Sequence, residues 1–154
     1  VPNNKINILY VDDEVNNLVS FKAAFRIKYN IYIAISGEEA IKILDNNDIN
    51  IIITDQRMPQ MTGVEFLESI LETHPDPMRI LLTGYADMKA VVDAVNKGKI
   101  FHYLSKPWNE EELDLTITRA YDIYSQRKNE EEMNEKLTLS NEQLEFLLRQ
   151  KLLS

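Results

Sequence analysis

The chain has 154 residues, of which 44% are hydrophobic and 27% charged, enough for one compact domain with length to spare. Its formal net charge of -8 argues against a surface built to neutralise nucleic-acid phosphates, and the absence of cysteine excludes disulfides and thiolate metal sites. No apolar run of membrane-spanning length and no signal-peptide pattern occurs, so the expectation is a cytoplasmic protein with neither membrane nor nucleic-acid partners in these residues.

Ile6 to Val11 is a short β-rich run that stops at Asp12-Asp13-Glu14, and Val15 to Tyr29 then shows helical spacing through Leu18, Phe21, Ala24 and Phe25. Ile31 to Ile35 predicts a second strand. Ser36-Gly37-Glu38-Glu39 reads as a helix start, with a capping serine and acids in the first turn. Ile51-Ile52-Ile53-Thr54-Asp55 is a β-branched run without alternation, which suits a strand covered on both faces, and it delivers one carboxylate to a loop. A helix from about Gly63 carries Val64, Phe66, Leu67, Ile70 and Leu71 and is closed by Pro75 and Pro77. Arg79 to Thr83 is the fourth strand, and Met88 to Lys97 the next helix, stopped by Gly98. Ile100 to Leu104 is the fifth strand. It ends at Ser105-Lys106-Pro107-Trp108, and a last helix begins near Asn109.

Five strands alternating with five helices predict a doubly wound α/β domain on a five-stranded parallel sheet, with right-handed crossovers. Binding sites in such sheets lie beyond the carboxyl ends of the strands. That edge receives Asp12 and Asp13 from the first strand, Asp55 from the third, Thr83 from the fourth and Lys106 after the fifth.

Crowded carboxylates repel: two unit charges ~4 Å apart cost on the order of 4 kcal/mol at an effective dielectric of 20. A hard divalent cation offsets that, and Mg²⁺ suits a few carboxylates with a phosphoryl oxygen. A carboxylate also serves as a nucleophile toward phosphorus when charge on the transferring group is neutralised, a task for the cation, Lys106 and Thr83. Asp55, a single carboxylate facing the Asp12-Asp13 pair, is the candidate acceptor. Singly, each residue has an ordinary use: helix capping for Asp12 or Asp13, a strand end for Thr83, a solvated surface for Lys106. Their convergence in this order is what points to chemistry. His74, in a helix-ending His-Pro, and His102, within a strand, lack ligand partners at metal-site spacing and read as ordinary histidines.

These residues resemble the receiver domain of two-component response regulators, the CheY-like family, over about residues 4 to 125: Asp12-Asp13, Asp55, Met58-Pro59 with Gly63, Thr83, and Lys106-Pro107 stand at matching positions. The resemblance implies the flavodoxin-like strand order 2-1-3-4-5. It implies that Asp55 receives a phosphoryl group from a sensor histidine kinase or histidine phosphotransfer protein. Asp12, Asp13, Asp55 and the Arg57 backbone carbonyl would ligate Mg²⁺, Lys106 would pair with the phosphoryl group, and Thr83 would move to meet it. Tyr103 would be the aromatic switch, and the Lys106-Pro107 bond would be cis. The signal would reach the face formed by the fourth helix, the fifth strand and the last helix. Arg57 and Tyr85, which stand two positions after Asp55 and Thr83, are expected to tune the phosphoryl lifetime.

From Asn109 to Leu153 no proline or glycine interrupts, so one helix of about 45 residues, roughly 68 Å, is expected beside a domain about 30 Å across. Leu113, Ile117, Ala120 and Tyr124 suit packing on the sheet. Leu137, Leu144, Leu147, Leu148 and Leu152 form an apolar stripe at near-heptad spacing, with Asn141 able to set a register. Residues 126–154 are therefore read as a helical extension and coiled-coil linker to an output domain outside this sequence, set against a free extension. A homodimer through that helix or through the fourth-helix, fifth-strand and last-helix face is the accompanying expectation. The chain is read as a signalling module whose own chemistry is limited to gaining and losing the phosphoryl group. The competing reading is a Mg²⁺-dependent aspartyl-phosphate phosphatase or phosphotransferase on a small molecule. It is weakened by a lone acceptor after the third strand and by the lack of a substrate-cap insertion.

Overall fold

A computed structural model describes residues 5–153, with Tyr85 described by its backbone alone; the expected domain start at residue 4 lies outside them. The elements in order are β1 (Asn7–Val11), α1 (Val15–Phe25), β2 (Asn30–Ala34), α2 (Gly37–Asn46), β3 (Ile51–Asp55), α3 (Gly63–Ser69), β4 (Met78–Thr83), α4 (Met88–Asn96), β5 (His102–Ser105) and α5 (Glu110–Leu153). A 3-10 turn at Tyr85–Asp87 precedes α4. The sheet has the order β2-β1-β3-β4-β5 with every pair parallel. Strands β3 and β4 are buried at every position, Arg79 of β4 included, and the unalternating Ile51-Ile52-Ile53 and Ile80-Leu81-Leu82 runs suit strands covered on both faces.

Local chemistry explains the helix starts. The Ser36 hydroxyl accepts from Glu39 N at 3.1 Å, and Thr62 and Glu65 form a reciprocal capping box at the head of α3. The Asn109 side chain accepts from Glu112 N at 3.1 Å, opening α5. α3 ends at Ser69, short of Leu71, where the Ser69 hydroxyl donates to the Phe66 carbonyl at 2.7 Å; Ile70 still packs in the core. β5 starts two residues later than the apolar run, because the sheet register pairs His102 with Ile80 while Ile100 turns into the core.

Trp108 packs against Phe21 and Phe25 of α1, with ring centroids 6.0 and 5.8 Å apart, and Phe21 stacks on Tyr10 at 4.2 Å. Leu113, Ile117 and Ala120 are buried. The chain divides into two compact units, Val1–Tyr121 and Asp122–Ser154, with α5 running through the division. In the second unit, residues 129–153 are exposed throughout. No helix among the described residues is long and apolar enough to cross a membrane.

Candidate functional site

The parallel register delivers the polar residues to one edge: Val11 pairs with Thr54, Asp55 with Leu82, and Thr83 with Ser105. Asp12, Asp13 and Asp55 offer carboxylate oxygens that all lie within 4.8 Å of one another. Asp12 is fully buried, Asp55 is 5% exposed and Asp13 faces solvent. Asp12 is fixed rather than free. Its carboxylate accepts from the Tyr10 hydroxyl at 2.8 Å, Asn17 Nδ2 at 3.1 Å and Glu14 N at 3.0 Å. The Tyr10 phenol is pushed up from its ordinary value, by burial first and then by the Asp12 charge.

Lys106 Nζ forms an ion pair with Asp55 Oδ1. Its backbone N–H donates to the Thr83 carbonyl at 2.9 Å, so the ends of β4 and β5 are tied together, and the Lys106-Pro107 bond is cis. The Asp55 carboxyl is held above the usual carboxylate range: burial is the main cause, the Lys106 hydrogen bond and charge oppose it, and Asp12 adds to the rise. Thr83 is buried, and its hydroxyl donates to the Gly84 carbonyl at 3.2 Å. Tyr103 is half-buried, packed on the core and stacked beside His102 with centroids 6.1 Å apart.

The loop after β3 folds back on Asp55. Gln56 N donates to the Leu82 carbonyl at 3.1 Å, Gly63 N donates to the Gln56 carbonyl at 2.9 Å, and Val64 N donates to Gln56 Oε1 at 2.9 Å. A Cβ at position 63 would stand 2.4 Å from the Asp55 carbonyl oxygen and 2.8 Å from Leu81 Cδ1, so only glycine permits this approach. At Gly84 a Cβ would meet nothing within 4 Å. A cavity of about 300 Å³ lies here, lined by Asp55, Gln56, Arg57, Gly84, Ala86, Asp87 and Lys106. Arg57 Nε donates to Asp87 Oδ2 at 2.9 Å across its rim.

Of the residues named from sequence, Asp12, Asp13, Asp55, Thr83 and Lys106 share one edge, Arg57 reaches the cavity rim through its side chain and Tyr103 is half-buried on β5; the Tyr85 side chain lies outside the described atoms. Tyr10, Asn17, Gln56 and Asp87 were missed. Tyr10 and Gln56 carry only the signal of their neighbours, two before Asp12 and one after Asp55. Neither histidine joins the cluster: His74 Nε2 lies 2.9 Å from Asp45, and His102 is exposed on β5.

Residues 8–118 match the family described as response regulator receiver domain. The hydrogenase transcriptional regulatory protein HoxA of Bradyrhizobium diazoefficiens is 32% identical over 124 residues, which are 80% of this chain and 26% of that protein. The chain spans about a quarter of the length of such curated relatives. Among solved structures, adenylate cyclase from Rhodopirellula baltica is similar at 28% identity with a TM-score of 0.83, covering 86% of this chain and 98% of that one. The signal receiver domain of an HD domain-containing protein from Pseudomonas fluorescens Pf-5 is similar at 30% identity and a TM-score of 0.76, covering 84% and 96%. The five-stranded 2-1-3-4-5 sheet, the edge of acids and the match across residues 8–118 agree, and the chain belongs to the receiver domain family of two-component response regulators.

Proposed function

We propose that Asp55 accepts a phosphoryl group from the phosphohistidine of a sensor kinase or histidine phosphotransfer protein, in a Mg²⁺-dependent reaction. The observation that carries this reading is the convergence of three carboxylates on one edge with Lys106 paired to Asp55. An Asp55 oxygen attacks phosphorus; the new O–P bond forms as the P–N bond breaks, and the imidazole leaves with the bonding pair and takes up a proton. Lys106, already beside Asp55, balances charge on the incoming group.

The donor set is all hard oxygen, with no imidazole or thiolate, and its mutual repulsion calls for a cation, so the residues fit Mg²⁺. Asp12, Asp13, Asp55 and the Arg57 carbonyl would hold it. Bound there, it would supply the positive charge that steadies the phosphoryl oxygens in transfer. Tyr10, Asn17 and Glu14 N keep Asp12 oriented toward that task.

Once phosphorylated, Asp55 carries added charge and acceptor oxygens. The Thr83 hydroxyl exchanges the Gly84 carbonyl for them, and half-buried Tyr103 follows inward, altering the face formed by α4, β5 and α5. Arg57 and Tyr85 set the lifetime of the phosphoryl group. Residues 4–125 act as the receiver and 126–154 as a helical extension. The relatives' names include a transcriptional regulator, an adenylate cyclase and an HD domain-containing protein, so the receiver step is the shared element and no single output is assigned. Incubation with a radiolabelled phosphotransfer protein tests the reading: label moves to the parent chain and not to Asp55→Asn, and equal labelling of both would contradict it.

A further inference from the structure

Gln56 stands between two of the proposed cation ligands, the Asp55 carboxylate and the Arg57 carbonyl; it is 5% exposed, and no step of phosphoryl transfer uses it. It is held at three points. Its N–H donates to the Leu82 carbonyl of β4 at 3.1 Å, its carbonyl accepts from Gly63 N at 2.9 Å, and its side-chain Oε1 accepts from Val64 N at 2.9 Å. A helix start leaves four N–H groups without partners inside the helix. At the head of α3, Thr62 N donates to Glu65 Oε1 at 3.2 Å and Glu65 N to Thr62 Oγ1 at 3.1 Å, and the remaining two, on Gly63 and Val64, both go to Gln56. A residue 56 without a side-chain acceptor leaves the Val64 N–H unpaired.

We propose that Gln56 is a positioning residue that sets the size of the cation site, favouring Mg²⁺ over the larger Ca²⁺; the proposal rests on the Mg²⁺ reading of this edge. Mg²⁺ demands near-octahedral oxygens at about 2.0–2.1 Å, whereas Ca²⁺ accepts irregular ones at about 2.3–2.6 Å. A fixed ligand spacing therefore favours the smaller ion, and a loose one admits the larger. On the β1 side Asp12 is fixed by Tyr10, Asn17 and Glu14 N. On the β3 side the peptide bonds before and after residue 56 are tied to Leu82 and Gly63, and the Gln56 side chain joins them to the first turn of α3. Release of Oε1 loosens the spacing between Asp55 and the Arg57 carbonyl, which costs Mg²⁺ its geometry and Ca²⁺ little.

Backbone amide NMR spectra of the full chain, titrated with magnesium chloride and separately with calcium chloride at constant ionic strength, read both affinities at the site itself. The parent should favour Mg²⁺. Gln56→Met, which fills similar space without an acceptor, should lower the ratio of Mg²⁺ to Ca²⁺ affinity at least about fivefold, the worth of one hydrogen bond. Gln56→Glu keeps the acceptor and should hold the ratio within about twofold of the parent, since its added charge strengthens both ions. In the parent, linkage requires saturating Mg²⁺ to slow hydrogen exchange of the Val64 amide at least about threefold more than saturating Ca²⁺ does. A parent that favours Ca²⁺, a ratio unchanged in Gln56→Met, an equal fall in Gln56→Glu, or equal Val64 protection by the two ions would overturn the assignment of Gln56 and leave cation binding standing. A parent whose Asp13 and Asp55 amides do not respond to Mg²⁺ would overturn the Mg²⁺ reading and this inference together.

Discussion

Arg57 Nε lies 2.9 Å from Asp87 Oδ2, so a residue two positions after Asp55 is tied to the residue that leads into α4. The two side chains, 72% and 23% exposed, meet at the rim of the cavity that holds Asp55 and Lys106. An exposed pair of this kind contributes under about 1 kcal/mol to stability. Its consequence is positional: it fixes a long side chain at the rim of the cavity lined by Asp55 and Lys106, where the proposed phosphoryl group would meet water.

Arg57→Ala and Asp87→Ala are therefore expected to shorten the phosphoryl lifetime about three- to tenfold each, a barrier change on the order of 1 kcal/mol. The double variant should be no faster than the quicker single one, since each removes the same contact. Loss of radiolabel over time from purified phosphorylated protein measures this. Lifetimes that match the parent, or effects that multiply, would contradict it.

Gly63→Ala should destabilise the domain by about 2–3 kcal/mol, the usual cost of forcing a methyl into filled space, because the added carbon meets backbone at 2.4 Å. Urea unfolding should show a lower midpoint with an unchanged slope. A midpoint equal to the parent's would mean that the loop after β3 relaxes freely and does not set the position of Asp55.

Asp114 accepts hydrogen bonds from Lys28 Nζ at 2.6 Å and from the Tyr29 hydroxyl, joining the turn after α1 to α5. Its burial favours the neutral acid, but the Lys28 and Tyr29 bonds outweigh it and the carboxyl sits below its ordinary range. A depressed folded-state value stabilises the fold above the unfolded value and loses that stabilisation as pH falls through the folded one. Asp114→Asn should therefore cost about 1–2 kcal/mol at neutral pH. The difference should shrink below about pH 4, where the unfolded carboxyl begins to protonate. Denaturation at several pH values reads this, and a gap that widens in acid would reverse the sign of the argument.

Asp13, the exposed member of the carboxylate cluster, should contribute to cation binding and little to the fold. Asp13→Asn is expected to weaken Mg²⁺ about tenfold or more by calorimetric titration, roughly 1.4 kcal/mol, with a melting temperature close to the parent's. Chelation should stop phosphoryl uptake by the parent. Unchanged Mg²⁺ affinity in the variant would remove Asp13 from the proposed ligand set.

The main lines of this architecture are written in local pattern. The unalternating Ile51-Ile52-Ile53 run forecasts a strand covered on both faces, and chain order then carries Asp12, Asp13, Asp55, Thr83 and Lys106 to one edge. What stayed hidden depends on contacts between residues far apart or ordinary in context. Tyr10 looks like any core aromatic in β1 until its hydroxyl is seen 2.8 Å from Asp12. Asp87 looks like a helix-start acid until Arg57, thirty residues earlier, reaches it. Gly63 matches the family pattern in sequence, but its reason, the Asp55 carbonyl beneath it, is visible only in three dimensions. The late start of β5 follows from sheet register, which hydrophobic pattern alone does not encode.

The central claim is that Asp55 is the phosphoryl acceptor, and intact-protein mass spectrometry after incubation with acetyl phosphate and Mg²⁺ tests it most directly. The parent is predicted to gain the mass of one phosphoryl group, lost on mild hydroxylamine treatment as an acyl phosphate requires, while Asp55→Asn gains none. A phosphoryl adduct retained in Asp55→Asn, or one that resists hydroxylamine, would contradict the account.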